Sequence, residues 1–252
     1  MPGYRLGLLA ATMTMLLILT GLFAVTADMV EFLEDATKLP PDAVASVPEL
    51  DAFHEVIHAI WHDAWPQKDM ALLRRLQPEV ANGVRKIAAA RLPGILETKN
   101  DLWEQGIRNL RDVADEYSTA TAGKDDERLL AAAENLHARF EFLMRAVRPP
   151  LPELGEFHAA LYMLERHYLP EGQTEKIREI AAELQHRMST LNGVTLPERL
   201  QDIDDDFRVA RDILSGSINS LISSAQAGDM ATVRAALESV KSCYQKLEGV
   251  FR

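Results

Sequence analysis

His54, His58 and His62 recur at every fourth residue, a spacing that stacks side chains on one face of an α-helix. Two imidazoles so placed can share one metal ion, and imidazole suits zinc, copper and nickel. With about 100° of turn per residue, His54 borders the apolar face centred near Phe53, His58 lies on the flank and His62 faces solvent. Further along, Glu134 and His137 offer a carboxylate and another imidazole. Counting about 1.5 Å per residue from the turns at Pro66 and Gly123, His54 and His137 fall at nearly the same depth, and Glu134 falls level with His58 and Arg74. His54, His58, Glu134 and His137 are therefore expected to converge between two helices and hold one divalent transition ion (zinc, copper or nickel), as helical bundles build metal centres. The competing expectation is structural. Arg74–Glu134 and Arg178–Glu238 would be ion pairs between helices, and His54 and His158 would hydrogen-bond a neighbouring helix.

Other chemistries lack their residues. Cys243 is the only cysteine, so an intramolecular disulfide, a thiolate zinc site and covalent haem are all excluded. Cys243 lies on a helical pattern between Val240 and Leu247 and reads as a small core or flank residue. The chain has no phosphate-binding glycine loop, no nucleophile elbow and no His-Glu-x-x-His, so it is expected not to be an enzyme. The run from Asp202 to Asp206 lacks the glycine and distal glutamate of a calcium loop and reads as an acidic helix start. A net charge of −11 argues against nucleic acid, whose phosphates need a basic surface. The expected partners are a metal ion or a protein of the cell envelope.

The elements that must position these residues come in two sets. Pro48-Glu49-Leu50-x-x-Phe53-His54 returns as Pro152-Glu153-Leu154-x-x-Phe157-His158, 104 positions later. Pro66 returns as Pro170, Arg74 as Arg178, Leu92-Pro93 as Leu196-Pro197, and Glu134 as Glu238 in the same register. A period near a hundred residues is the size of a small domain. In the first copy, helices are expected from Pro48 to about Ala64, Lys68 to Ala90 with a bend or restart at Pro78, Leu96 to Thr119, and Glu127 to Val147. In the second they are expected over Pro152–Tyr168, Thr174–Leu191, Pro197–Ser224 and Asp229–Phe251. Trp65-Pro66 should end the first helix, because a residue before proline avoids helical geometry. The fold expectation is all-α, a tandem duplication of an up-and-down four-helix bundle over residues 48–148 and 149–252. The second copy keeps His158 and Glu238 but carries Tyr162 and Lys241 where the first has His58 and His137, so metal binding is expected of the first alone.

An apolar run from Leu6 to Val25 follows Arg5 and closes on Val25-Thr26-Ala27. It reads as a signal peptide over residues 1–27, or as an uncleaved anchor, since about twenty apolar residues can span a bilayer. Either form implies export to the periplasm or another extracytoplasmic space, with membrane contact only through this segment if it is retained. Residues 28–47 read as a tether, with a short helix at 29–37. Helix number, helix length, export and short turns together resemble exported bacterial four-helix bundles of the cytochrome b562 and cytochrome c′ type. The resemblance is topological. The haem-attachment motif of the c′ type is missing, and no methionine–histidine axial pair of the b562 type is assigned.

Overall fold

Pro48 and Pro152 each open a helix, where the missing proline N–H would have had no intrahelical partner. The aspartates Asp69, Asp125 and Asp229 cap three others, accepting from the backbone N–H of Leu72, Arg128 and Ala231 at 2.9–3.0 Å. The computed structural model of the chain describes residues 39–251. Every regular element among them is helical.

The first set begins with α1 (Pro48–His58), which continues through a wide π-helical segment, Ala59–Ala64, into one α-helical turn at Trp65–Gln67. Then come α2 (Met70–Ala89), a 3-10 segment (Gly94–Lys99), α3 (Asn100–Ala122) and α4 (Asp126–Val147). The second set is α5 (Pro152–Met163) with a π-helical segment (Leu164–Tyr168), α6 (Thr174–Asn192), a 3-10 segment (Glu198–Ile203), α7 (Asp204–Ala227) and α8 (Met230–Gly249). The starts Pro48, Met70, Gly94, Asn100 and Asp126 are matched by Pro152, Thr174, Glu198, Asp204 and Met230, in each case 104 residues on.

Within each set, consecutive helices pack together and the first also touches the last. Each set encloses an apolar core. Leu50, Phe53, Ile57 and Ile60 point into the first, and Leu154, Phe157, Leu161 and Leu164 into the second. The buried Tyr117 hydroxyl donates to the Leu73 carbonyl at 2.6 Å, so the core leaves this polar group satisfied. Burial alone pushes the phenol pKa up. Tyr162 and Met163 of the second set are buried against the first core, which joins the two sets. Among the described residues no helix is long and apolar enough to cross a membrane. The expected signal or anchor segment, and the helix expected at 29–37, lie outside the described residues. At the end of the expected tether, Ala43 and Val47 are buried in the first core.

Several local expectations need correction. Trp65-Pro66 does not end the first helix. The helical path runs to Gln67, and Lys68, with φ 51°, breaks it. The Trp65 N–H bonds back to the Ile60 carbonyl, five residues earlier. A turn that wide relieves the clash between a proline ring and the carbonyl four residues before it. Pro78 does not restart the helix, since α2 runs uninterrupted through it. The expected helix starts at Leu96 and Pro197 are 3-10 turns, and the α-helices follow at Asn100 and Asp204. Arg74 pairs with Asp126 at 2.8 Å rather than with Glu134, and Arg178 pairs with Glu175 at 2.7 Å rather than with Glu238.

Gly83 has a packing reason to be glycine. A Cβ there would lie 2.1 Å from Cδ2 of Phe53, whereas one on Gly216 in α7 would meet nothing within 4 Å. Gly83→Ala should therefore cost about 1–3 kcal/mol of stability through overpacking. Gly216→Ala should add about 0.5–1 kcal/mol through helix propensity. Urea denaturation of both variants is the check, and shifts of the same sign would refute this account of the core.

Candidate functional site

The π-helical segment after α1 presents aromatic and imidazole rings to α4. Trp61 stacks face to face on His137, with centroids 4.2 Å apart and planes 4° apart, and Trp65 lies 4.7 Å from Trp61. The Trp65 Nε1–H is buried without a partner. One face turn earlier, His54 stacks on Phe140 at 5.7 Å. His58 and His62, both exposed, bring their rings to 4.6 Å. Glu141 lies 3.9 Å from His137 Nε2.

This arrangement departs from the expected ligand set. His137 lies opposite Trp61 and Phe140 takes the place opposite His54, so the two histidines are about one turn out of the expected register. The depth count used Pro66 as the end of the first helix, and the helix runs past it. Glu134 is exposed and makes no ion pair or hydrogen bond among the described residues. The expected set of His54, His58, Glu134 and His137 is thus divided. Only His58 and His62 are brought into ring contact with each other, and among the described residues no group of three or more His, Cys, Asp or Glu side chains is placed to hold one metal ion. His137 is nevertheless held below the ordinary histidine pKa, first by burial and then by the charges of His62 and His54, with Glu141 opposing.

The second set makes the same contact with different chemistry. Position 165 holds Glu where position 61 holds Trp, and position 241 holds Lys where position 137 holds His. Lys241 Nζ bonds Glu165 at 2.5 Å and Glu238 at 3.3 Å. Burial works against the ammonium, but the bonds to Glu165 and Glu238 and their charges together outweigh it and raise the pKa. His158 stacks on Tyr244 at 4.7 Å, as His54 does on Phe140. The paired exchange is visible in the sequence once the register is known, and it marks positions 61 and 137 as touching.

A second candidate site lies where the two sets meet. A groove of about 760 Å³ has an apolar lining that includes Leu102, Phe142, Met144, Pro150, Leu200 and Phe251, with His54 at its wall. Its charged groups are Lys99, Arg145, Arg148, Arg199, Glu141 and Glu248. Lys99 and Glu248 form a 2.9 Å ion pair, each side chain only 11% exposed. Arg148 reaches Asp51 at 3.2 Å. Nearby, three contacts fasten the sets together. The Tyr162 hydroxyl donates to Asp42 at 3.0 Å, His167 Nε2 lies 3.2 Å from the same carboxylate, and Arg166 pairs with Glu97. Burial raises the Asp42 pKa, but the bond from Tyr162, the charge and bond of His167 and a backbone hydrogen bond together outweigh it and hold the carboxyl below its ordinary value. Sequence reasoning missed this groove, because its walls come from segments far apart in the chain.

No protein-family model matches the chain, and neither a curated protein nor a solved structure is significantly similar to it.

Burial depresses His158 to about 4, with the charge of Lys99 adding to it and that of Glu248 opposing. The unfolded chain, with an ordinary value near 6.5, therefore takes up the proton first. Above pH 6.5 the imidazole is neutral in both states and costs nothing. Stability should fall as pH drops from about 6.5 to about 4, by up to about 3 kcal/mol, and this contribution should level off below. Urea denaturation at pH 7 and pH 4.5 reads this directly. His158→Gln should lose markedly less stability between those pH values than the parent, and an equal loss in both proteins would remove His158 as the cause.

Proposed function

We propose that the chain is a tandem pair of up-and-down four-helix bundles, over residues 48–148 and 149–252, which works in an extracytoplasmic compartment by binding rather than by catalysis. The duplicate reading is supported by the shared helix starts and by cores whose apolar positions recur in one register. The observation that carries the binding reading is the groove between the two sets, of about 760 Å³. That size and a mostly apolar lining with a few polar groups suit a small molecule or a segment of an envelope protein. Export rests on the apolar run at residues 6–25 alone.

The groove reading has a plain test. The melting temperature of the purified protein is followed against a panel of small apolar compounds that are neutral, cationic or anionic. A ligand of the native state adds about 2.7 kcal/mol at a hundredfold excess over its dissociation constant. At least one class should raise the melting temperature in a saturable way, and Leu200→Glu should abolish the rise. A flat response to the whole panel would sink the reading.

A transition-ion reading keeps one specific support, the His58–His62 ring pair at 4.6 Å with His137 close enough for the His62 charge to act on it. Two imidazoles with water completing the shell would hold zinc, copper or nickel loosely, which suits buffering or delivery. Calorimetric titration with each ion should show binding that weakens in acid, where protons compete with the ion for imidazole nitrogen. His58→Ala and His62→Ala should each lower affinity about tenfold or more, and His54→Ala should not. Absence of any ion bound tighter than about a millimolar ends this reading.

A further inference from the structure

We infer that the groove between the two sets takes an amphipathic monoanion, an apolar chain ending in a carboxylate; the inference rests on the binding reading above and adds the charge of the ligand. The argument is a balance of paired and unpaired groups. Four cationic side chains line the groove, against two carboxylates. Lys99 is held by Glu248 and Arg148 by Asp51. Glu141 lies 3.9 Å from His137, whose lowered pKa keeps the ring neutral. This carboxylate therefore offsets one of the remaining cations and leaves a balance of one positive charge. Those cations are Arg145 and Arg199, one contributed by α4 and the other by the 3-10 segment before α7. Neither guanidinium has an ion pair or side-chain hydrogen bond among the described residues.

What distinguishes Arg145 and Arg199 from other arginines without an ion pair is that both line one apolar groove. A guanidinium offers a rigid donor fork that matches a carboxylate in a two-bonded geometry. The rest of the lining fits an apolar body. Leu102 is 38% exposed at the groove, and Phe142, Leu200 and Phe251 are only partly covered. An apolar chain laid along these residues would remove their surface from water, at about 25 cal/mol per Å². A carboxylate at one end would then reach the free arginines. A neutral chain would leave them unpaired, and a cationic one would meet repulsion.

Calorimetric titration with decanoate, decanol and decyltrimethylammonium, which share one apolar chain and differ in charge, tests this. Decanoate should bind at least about tenfold tighter than the other two, the weight of one charge-assisted pair. Its affinity should fall as salt is added while that of decanol does not. The double variant Arg145→Gln/Arg199→Gln, with its melting temperature checked against the parent, should lose that advantage and bind decanol as before. Equal binding of decanoate and decanol, or a salt-independent decanoate affinity, overturns the inference while leaving the groove a binding site. A double variant that melts normally and still prefers decanoate also overturns it. If no compound of the three binds and the wider panel is flat as well, the binding reading falls with it.

Discussion

One aromatic ring in the first helix of each set governs what surrounds it. Phe53 is buried edge-on against Phe140, with centroids 5.6 Å apart, and presses so closely on α2 that only glycine fits at position 83. Phe157 holds the corresponding place beside Tyr244, at 6.0 Å. The ring sets the separation of α1 from both α2 and α4. It thereby turns the next residue, His54 or His158, onto the aromatic face of the last helix of its set. A histidine in that position is wedged by packing before any question of ligation arises.

The contact one to two turns further on is where the two sets differ most in chemistry. Trp61 on His137 and Glu165 on Lys241 occupy matching places, and both bridge a π-helical segment to the last helix. A stacked pair and a partly exposed ion pair are of comparable modest worth, so either serves the fold. They differ in what they leave available. The stacked version carries imidazole nitrogens, with the unpartnered indole N–H of Trp65 beside it, while the ionic version spends its polar atoms on one another. Interest in the first set as a chemical site therefore survives the loss of the expected four-residue cluster, in a reduced form centred on His58 and His62.

Helix content, helix order and most boundaries were legible in the sequence because proline, glycine and capping aspartate act locally and because the register supplied each boundary twice. The boundary misread at Pro66 has a plain cause: proline rules describe a regular α-helix, and a π turn absorbs the ring there. The site was less legible. Its depth count assumed a regular α-helix ending at Pro66, and the wide π-helical segment Ala59–Ala64 and the helical path to Gln67 depart from both assumptions. The ion partners of Arg74 and Arg178 were misassigned because long flexible side chains choose among several acids within reach, and Asp126 and Glu175 lie nearer. The groove was not legible at all, since Arg145 and Arg199 belong to different sets and periodicity says nothing about where two sets touch.

The fastening between the sets is one-directional. Tyr162 comes so near Gly94 that a Cβ there would lie 2.0 Å from the hydroxyl oxygen, and the same hydroxyl bonds Asp42. In the second set the places of Gly94, Asp42 and Glu97 are taken by Glu198, Ala146 and Gln201. An incoming tyrosine would meet a glutamate side chain, find no carboxylate to accept its proton, and bring an arginine to a neutral amide. The joint therefore rests on a glycine and two carboxylates that only the first set supplies at these places.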